Sequence, residues 1–441
     1  MTLKFGTDGV RGNASELDDA FVAALARAAA RVLGDQQFVL GMDTRESGPR
    51  IERALRAGLE AEGCQVELLG VVPTPAVACL CAREGVPGAM VSASHNPYFD
   101  NGIKFFAAGG LKLSDAVESQ LEETLHAISE SGSSVEVPGG ETDVPDAGRV
   151  EQYERSVMES IESRSLGGLR VVVDCANGAG SHVAPDVLDR LGAEVIVLHA
   201  EPDGRNINAD CGSTYPADLQ LAVVSNKADV GVAFDGDADR LLAADEKGEL
   251  IDGDQIIAMC AIDRRDRGRL AHDTVVVTVM SNLGFKIGMT DHAISVVETA
   301  VGDRYVLGAL ESGGYSLGGE QSGHVIFRDL ATTGDGLLTA VQLLDLMCRS
   351  GRFMSDLADA AMSRMPQVLK NVRVTRRVPL IVEAIQADID AVESELGANG
   401  RVLVRSSGTE PLVRVMVEAT DEHQADVMAD RLVDAVRRVA I

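Results

Sequence analysis

Three aspartates stand at alternate positions directly after an apolar segment in DVGVAFDGDADRL (229–241). Residues 230–234 are typical of a buried strand, and in an extended loop a spacing of two would direct Asp235, Asp237 and Asp239 to one side. Converging carboxylates repel one another and raise each other's pKa unless a cation lies between them. A hard divalent ion such as Mg²⁺, which prefers oxygen ligands, would remove that conflict. The spacing therefore favours a metal site.

Two other structures fit the same acidic segment. An EF-hand calcium loop also begins with alternating aspartates, and Glu246 stands at the position of its last ligand. However, Arg240 occupies the position where that loop needs glycine, and a strand, not a helix, is predicted before it. A plain acidic turn without a metal is the second alternative.

A serine in VSASHNPYFDNGIKFF (91–106) is the candidate nucleophile. Ser94 ends a run of small apolar residues, has His95 as its neighbour, and precedes Lys104 by ten positions. A serine in this setting can cap a helix or carry chemistry, and the stretch alone does not decide between the two roles.

A glycine-rich loop, GGEQSGHVIF (318–327), gathers three polar side chains before an apolar run. Such a loop is often only a turn. Here, however, Glu320, Ser322 and His324 supply a carboxylate, a hydroxyl and an imidazole within five residues. These groups suit hydrogen bonding to vicinal hydroxyls and proton transfer.

Basic residues are gathered in two glycine-containing segments. In RSSGTEPLVR (405–414), Arg405 and Arg414 flank a run of small donors: Ser407, Gly408 and Thr409. Arginine forks, hydroxyls and exposed backbone N–H groups suit a phosphate, although a hairpin turn with solvated arginines is the alternative. The Walker spacing is absent, so a nucleotide is not indicated. In FGTDGVRG (5–12), Arg11 lies between glycines that would allow close approach to a ligand.

The overall charge limits the partners. The 441 residues include 68 acidic and 40 basic residues, which gives a formal net charge of −28. Nucleic acid and anionic membrane surfaces would be repelled, so an anionic ligand needs the local basic groups described above. The seven cysteines form no CxxC pair, and the sequence offers neither an apolar signal core nor a membrane-length apolar run. We expect a soluble, cytoplasmic protein.

The elements that must position these residues alternate between strand and helix patterns. Strand–helix–strand segments begin near residues 37, 168 and 273, and the C-terminal part combines two strands within 401–419 with helices at 380–397 and 421–441. We therefore predict an α/β protein: three successive α/β domains with mixed or parallel sheets, and a smaller C-terminal α+β domain. A polar, Gly/Ser/Pro-rich segment, 129–148, is the candidate linker after the first domain. The predicted domains are 1–150, 151–253, 254–366 and 367–441.

Taken together, four motifs resemble those of the α-D-phosphohexomutase superfamily. SASHNP resembles its active-site serine motif, DGDADR its metal loop, GEQSGH its sugar loop and RSSGTEP its phosphate loop. Their order and separation extend the resemblance over essentially the whole chain. FGTDGVRG, NINADCGSTYP (206–216) and VGDRYV (301–306) make it most similar to members that act on hexosamine phosphates.

The resemblance implies four domains around a central cleft and a phosphoserine at Ser94. It also implies one Mg²⁺ held by Asp235, Asp237, Asp239 and an oxygen of the phosphoserine. The expected reaction moves a phosphoryl group between O6 and O1 of the sugar through a 1,6-bisphosphate. Because a phosphate beside three carboxylates needs a bridging cation, the two parts of this expectation support each other.

The other candidate residues receive roles by the same resemblance. Arg11 and Arg240 would stabilise the anion, and Glu320 and Ser322 would hold sugar hydroxyls in either orientation. The distal phosphate would be bound by Arg405, Ser407, Gly408, Thr409 and Arg414. His95, Lys104 and His324 are the candidates for general acid and base, without a ranking. A homodimer is a further expectation.

Three other functions stay open at this point. A mutase of the same superfamily acting on glucose or mannose phosphates would carry the same motifs. A metal-dependent sugar phosphatase would need the same serine and metal but release free phosphate. A protein that binds sugar phosphates without catalysis is the third alternative.

Overall fold

The computed structural model describes residues 5–6, 9–34, 36–139, 147–374, 380–406 and 412–440. The chain forms two compact units. The first comprises Met1–Met280 with Ile294–Asp359, and the second comprises Ser281–Ala293 with Ala360–Ile441.

The first unit begins with a six-stranded mixed sheet of order β1-β2-β6-β5-β3-β4. Its strands are β1 (Phe5–Gly6), β2 (Gly9–Asn13), β3 (Gln37–Met42), β4 (Gln65–Val71), β5 (Gly88–Val91) and β6 (Asp100–Phe106). Its helices are α1 (Asp19–Leu33), α2 (Gly48–Ala61), α3 (Thr74–Glu84), α4 (Asp115–Glu130) and α5 (Ala147–Glu159). The apolar strands β3 and β5 pair in parallel at its centre, whereas β6 runs antiparallel to β5.

A second sheet of the same unit has the order β11-β10-β9-β7-β8. Its strands are β7 (Arg170–Asp174), β8 (Glu194–Leu198), β9 (Val230–Phe234), β10 (Leu241–Asp245) and β11 (Leu250–Ile251). Its helices are α6 (Val183–Arg190) and α7 (Ala217–Asn226). The parallel strands β7 and β9 are almost wholly buried, and β7 is apolar between its terminal Arg170 and Asp174, so their ends hold polar loops in fixed positions.

The third sheet has the order β13-β12-β14-β15. Its strands are β12 (Thr274–Thr278), β13 (Ser295–Thr299), β14 (Leu317–Gly319) and β15 (Val325–Phe327). The helices of this region are α8 (Gly253–Asp266), α10 (Asp303–Gly313), α11 (Gly336–Ser350) and α12 (Met354–Ala361). Strands β14 and β15 form an antiparallel hairpin around the sugar-loop motif.

The second unit contains a three-stranded antiparallel sheet of order β16-β18-β17. Its strands are β16 (Gln367–Arg373), β17 (Arg401–Ser406) and β18 (Leu412–Glu418). Its helices are α9 (Leu283–Asp291), α13 (Ile381–Ala384), α14 (Gln386–Leu396) and α15 (Glu422–Ala440). The buried Glu418 carboxylate binds Arg401 at 2.9 Å and accepts from the N–H of Leu283 at 3.0 Å, which fixes α9 to this sheet.

The predicted fold class is confirmed, and two local predictions need correction. The helix predicted over 380–397 is interrupted at Ile385, whose φ of −117° and ψ of 17° lie outside the helical region. The candidate linker begins later than predicted, because α4 continues to Glu130. Within the described ranges, no helix is both long enough and apolar enough to cross a bilayer. The exact domain boundaries stay a prediction.

Candidate active site

The three aspartates converge in a tight turn that follows β9. All three are buried. One carboxylate oxygen of each residue lies within 4.8 Å of one oxygen of the other two. The predicted extended loop is wrong, because Ala238 N donates to Asp235 O at 3.0 Å and Ala238 has a left-handed φ of 56°. The side chains therefore meet by chain reversal and not by strand alternation.

The unused oxygens of this cluster fit a divalent cation. Asp237 Oδ1 and Asp239 Oδ1 are buried and have no hydrogen-bond partner among the described residues. The remaining Asp237 oxygen accepts from Lys104 Nζ at 2.7 Å and from Thr74 Oγ1 at 2.6 Å. Buried carboxylate oxygens without partners are unfavourable, and a hard cation is the ligand that satisfies several of them at once.

The excess of negative charge in the aspartate cluster contributes to the raised pKa of Asp235. Burial, followed by the charges of Asp239 and Asp237, raises the pKa of Asp235 to about 8. Burial also acts against ionisation of Asp239, but the Lys104 ammonium and His324 hold the pKa of that carboxyl well below its usual range. The local cations thus compensate only part of the charge, and a divalent ion would compensate the rest.

Ser94 lies against this cluster. Its Oγ donates to Asp235 Oδ2 at 2.6 Å, and His95 Nδ1 is 3.4 Å from the same hydroxyl. The serine lies three residues after the end of β5 and adopts a left-handed φ of 53°. It does not cap a helix, so the structure brings the candidate nucleophile to the candidate metal site.

Lys104 reaches the cluster from the neighbouring strand. It lies on β6 opposite Met90, is 3% exposed, and its Nζ is 3.4 Å from Asp239 Oδ2 in addition to its bond with Asp237. Thr74, at the start of α3, also donates to Asp237. No sequence pattern pointed to Thr74, because 163 residues separate it from its partner Asp237.

Two arginines contribute positive charge near the serine. Arg11 lies on β2 opposite Gly102. The Arg240 Nε atom is 3.8 Å from Asp239 Oδ1. Burial, with the charges of Arg240 and Arg11, lowers the pKa of His95 to about 4. Both guanidinium groups therefore act on the surroundings of Ser94.

The sugar-loop motif lies beside the metal loop within the first unit. Its backbone pairs with the second sheet, because Leu241 N donates to Gly323 O at 3.0 Å. Ser322 is exposed, and its Oγ is 3.5 Å from Glu320 Oε2. His324 is 2% exposed, with Nδ1 3.6 Å from Asp239 Oδ1. The loop therefore leaves Ser322 exposed and Glu320 half-buried, and it holds His324 inside.

The VGDRYV motif supports this loop. Gly302 N donates to Glu320 Oε1 at 3.0 Å, and Asp303 Oδ2 lies 3.5 Å from His324 Nε2. The Asp303 carboxylate also pairs with Lys112. The next residue, Arg304, binds Asp115 and Glu118 of α4. These contacts tie the third sheet to the first.

The proposed phosphate motif belongs to the second unit. Arg405 and Arg414 lie directly opposite each other on β17 and β18. Burial and the charge of Arg414 lower the pKa of Arg405. Like charges directly opposite each other in a sheet repel, and a bound anion between the two arginines would reduce this repulsion. The other predicted members, Ser407, Gly408 and Thr409, lie outside the described residues.

Family models match four consecutive segments of the chain. They are described as phosphoglucomutase/phosphomannomutase α/β/α domain I at residues 2–132, domain II at 151–248 and domain III at 252–365, and the C-terminal domain at 369–435. The chain belongs to the phosphoglucomutase/phosphomannomutase family. The family that the four motifs resemble is therefore confirmed, and the matched segments extend over most of the chain.

Curated members of this family share half of the sequence. Phosphoglucosamine mutase of Symbiobacterium thermophilum is 50% identical over 99% of this chain and 99% of its own length. Phosphoglucosamine mutase of Rhodococcus jostii is also 50% identical, over the full length of both chains.

Solved phosphohexomutase structures share the fold at lower identity. A putative phosphomannomutase from Thermus thermophilus has a TM-score of 0.82 at 23% identity and covers 99% of each chain. Aspergillus fumigatus N-acetylphosphoglucosamine mutase, solved with GlcNAc-6P and magnesium, has a TM-score of 0.68 at 20% identity, covering 100% of this chain and 96% of its own.

Proposed function

We propose that this protein is a phosphoglucosamine mutase that interconverts glucosamine 6-phosphate and glucosamine 1-phosphate through a phosphoserine at Ser94. The observation that carries the proposal is the 2.6 Å contact between Ser94 Oγ and Asp235 in a buried cluster of three aspartates. Identity of 50% over the full length of curated phosphoglucosamine mutases supports the amino sugar as substrate.

We assign a divalent cation, Mg²⁺, to Asp235, Asp237 and Asp239 together with an oxygen of phosphorylated Ser94. Two buried oxygens, Asp237 Oδ1 and Asp239 Oδ1, accept no hydrogen bond among the described residues, which supports this assignment. When bound, such an ion neutralises charge on a transferring phosphoryl group. Within the chain, Lys104 and Thr74 hold Asp237 in place from two different elements.

The first transfer breaks the bond between phosphorus and Ser94 Oγ and forms one to a free sugar hydroxyl. The hydroxyl proton passes to a base, and we assign proton transfer to the set His95, Lys104 and His324. Arg11 and Arg240 stabilise the anionic group as it moves. The product of this step is a 1,6-bisphosphate.

The second transfer reverses the first with the other phosphate. The bisphosphate turns, its second phosphoryl group returns to Ser94 Oγ, and the proton returns to the sugar oxygen. Glu320 and Ser322 bind sugar hydroxyls in both orientations, and Arg405 and Arg414 with Ser407, Gly408 and Thr409 bind a phosphate group. The serine ends phosphorylated, so the cycle consumes no phosphate.

Turnover on glucosamine, glucose and mannose 6-phosphates tests the proposal directly. We expect the highest kcat/KM with glucosamine 6-phosphate and almost no turnover in Ser94→Ala. Greater activity on glucose or mannose 6-phosphate would overturn the assigned sugar. Turnover near that of the wild type in Ser94→Ala would overturn the phosphoserine route.

Stimulation by catalytic amounts of glucosamine 1,6-bisphosphate separates a mutase from a phosphatase. A mutase regains its phosphoserine from the bisphosphate and releases little inorganic phosphate. Stoichiometric phosphate release would instead indicate a phosphatase, and binding without turnover would indicate a non-catalytic protein. The cytoplasmic location and the homodimer stay predictions.

A further inference from the structure

Arg45 lies at the centre of the loop that carries Ser94. Its side chain is fully buried, and its Nε donates to Asp43 Oδ2 at 2.8 Å. The Nη1 and Nη2 groups each donate to two backbone carbonyls of the loop. Those carbonyls belong to Ser94, Asn96, Pro97 and Asp100. A guanidinium has five N–H donors, and here all five have an acceptor.

Both peptide groups of Ser94 are held by this network. Its N–H donates to Ser92 Oγ at 2.9 Å, and that hydroxyl in turn donates to Asp43 Oδ2 at 2.7 Å. Its carbonyl accepts from Arg45 Nη2 and from Asn208 Nδ2, both at 2.9 Å. The backbone on each side of the serine is therefore fixed by the Ser92 hydroxyl of its own loop and by side chains from two other segments, one with Asp43 and Arg45 and one with Asn208.

The held conformation is one that serine seldom adopts. A φ of 53° places Ser94 in the left-handed region, which is disfavoured for residues with a β-carbon. Such a conformation persists where surrounding contacts determine it, and it often lies at functional sites. In this conformation Ser94 Oγ is directed to Asp235 Oδ2 at 2.6 Å.

We propose that Arg45 is a positioning residue for phosphoryl transfer: its fork, with Asn208, holds Ser94 in the left-handed conformation that directs Oγ to the metal cluster. The inference rests on the proposed function, because it assigns the reacting group to Ser94. Arg45 contacts neither the cluster nor the hydroxyl in the described structure; it acts through the backbone of the loop.

A second arginine of the same unit provides a control for the loss of guanidinium contacts with backbone carbonyls. Arg50 Nη1 donates to Leu17 O at 2.8 Å and to Asp19 Oδ1 at 2.7 Å, and its Nη2 donates to Ala14 O at 2.8 Å. It therefore also binds one carboxylate and backbone carbonyls, but at a loop that does not carry Ser94. Because Arg45 is fully buried and the Arg50 side chain is 34% exposed, lysine at position 45 destabilises the fold more in any case, so the comparison that tests positioning is the kcat of the folded proteins.

The test compares Arg45→Lys with Arg50→Lys in the full-length protein. Lysine keeps the charge beside Asp43 but offers three donors in place of five, without the planar fork. For Arg45→Lys we expect kcat to fall by about 10- to 100-fold, with KM for glucosamine 6-phosphate changed by less than about threefold. For Arg50→Lys we expect kcat within about twofold of the wild type.

Crystal structures of Arg45→Lys and the wild type give a readout that does not depend on activity. We expect Ser94 to leave the left-handed region, or its Oγ to move away from Asp235, in the variant alone. An unchanged Ser94 together with a wild-type kcat would overturn the proposal. So would an equal fall in kcat in Arg50→Lys.

Asn208→Ala keeps the test decisive if Arg45→Lys does not fold. It removes one of the two donors to the Ser94 carbonyl without leaving a buried charge, and we expect the same fall in kcat with an unchanged KM. Wild-type kcat in Asn208→Ala would then overturn the inference. If the wild type itself shows neither phosphoserine by intact mass nor mutase turnover, the proposed function fails, whereas the crystal structures still decide the role of Arg45.

Discussion

Replacing Glu52 by Gln should stabilise the protein by an amount that increases with pH. Glu52 lies on α2, is 1% exposed, and its Oε1 atom has no hydrogen-bond partner within the described residues. Burial raises the pKa of this carboxyl from 4.5 to about 7, although Arg56 and Arg53 act in the opposite direction. The folded protein therefore binds a proton that the unfolded chain releases more readily.

The sign and size of the effect follow from linkage. Below pH 4.5 the carboxyl is protonated in both states, so its contribution to stability is fully present there and is lost as pH rises through about 7. The interval from 4.5 to about 7, at about 1.4 kcal/mol for each tenfold change, corresponds to about 3 kcal/mol. Glutamine has nearly the same shape and does not ionise, so it avoids this loss.

Urea unfolding at pH 5 and pH 8 measures the difference. Relative to the wild type, Glu52→Gln should gain about 2 to 3 kcal/mol in the free energy of unfolding between the two pH values. Glu60→Gln, an exposed position of the same helix, is the control and should change by less than about 0.5 kcal/mol. A parallel pH dependence of Glu52→Gln and the wild type would refute the reasoning.

Three further predictions concern the site. Removal of divalent ions with EDTA should abolish turnover and Mg²⁺ should restore it; full activity in protein shown to be metal-free by elemental analysis would contradict the metal assignment. Gly236→Ala should lower kcat by about 10- to 100-fold, because a β-carbon there would lie 2.6 Å from Ser94 O, whereas Gly308→Ala, in open space, should not. Arg405→Ala should raise KM for glucosamine 6-phosphate without reducing phosphorylation of Ser94, and Arg373→Ala on the exposed side of β16 is its control. Unchanged KM in Arg405→Ala would remove that residue from the phosphate site.

Local patterns predicted much of the fold. The strands expected near residues 37, 168 and 273 are β3, β7 and β12, and the helix expected over 421–441 is α15. These predictions succeed because apolar periodicity and turn residues act over short distances along the chain. The break at Ile385 escaped prediction because the apolar spacing continues through it.

The sequence predicted which residues belong to the site, but it did not predict which of them are in contact. Ser94, Lys104 and the aspartates do meet, but their convergence depends on the order of strands in two sheets and on the turn at Ala238. The roles of Thr74, Arg45 and Asn208 could not be inferred, because each acts on a partner distant in sequence or through a backbone carbonyl. A polar side chain whose local sequence is typical of an exposed position can thus become part of the site.

The shared carbonyl of Ser94 has a consequence during biosynthesis. Asn208 is synthesised 114 residues after Ser94, and Asp235 is synthesised 141 residues after Ser94. At translation rates of about 5 to 20 residues per second, synthesis of the 114 residues between Ser94 and Asn208 lasts roughly 6 to 23 s. In a nascent chain that has folded only its N-terminal sheet, Asn208 and the three aspartates are still missing. The Ser94 hydroxyl would therefore not yet be directed to an acidic cluster. Priming by phosphate would begin only after the second sheet has been made.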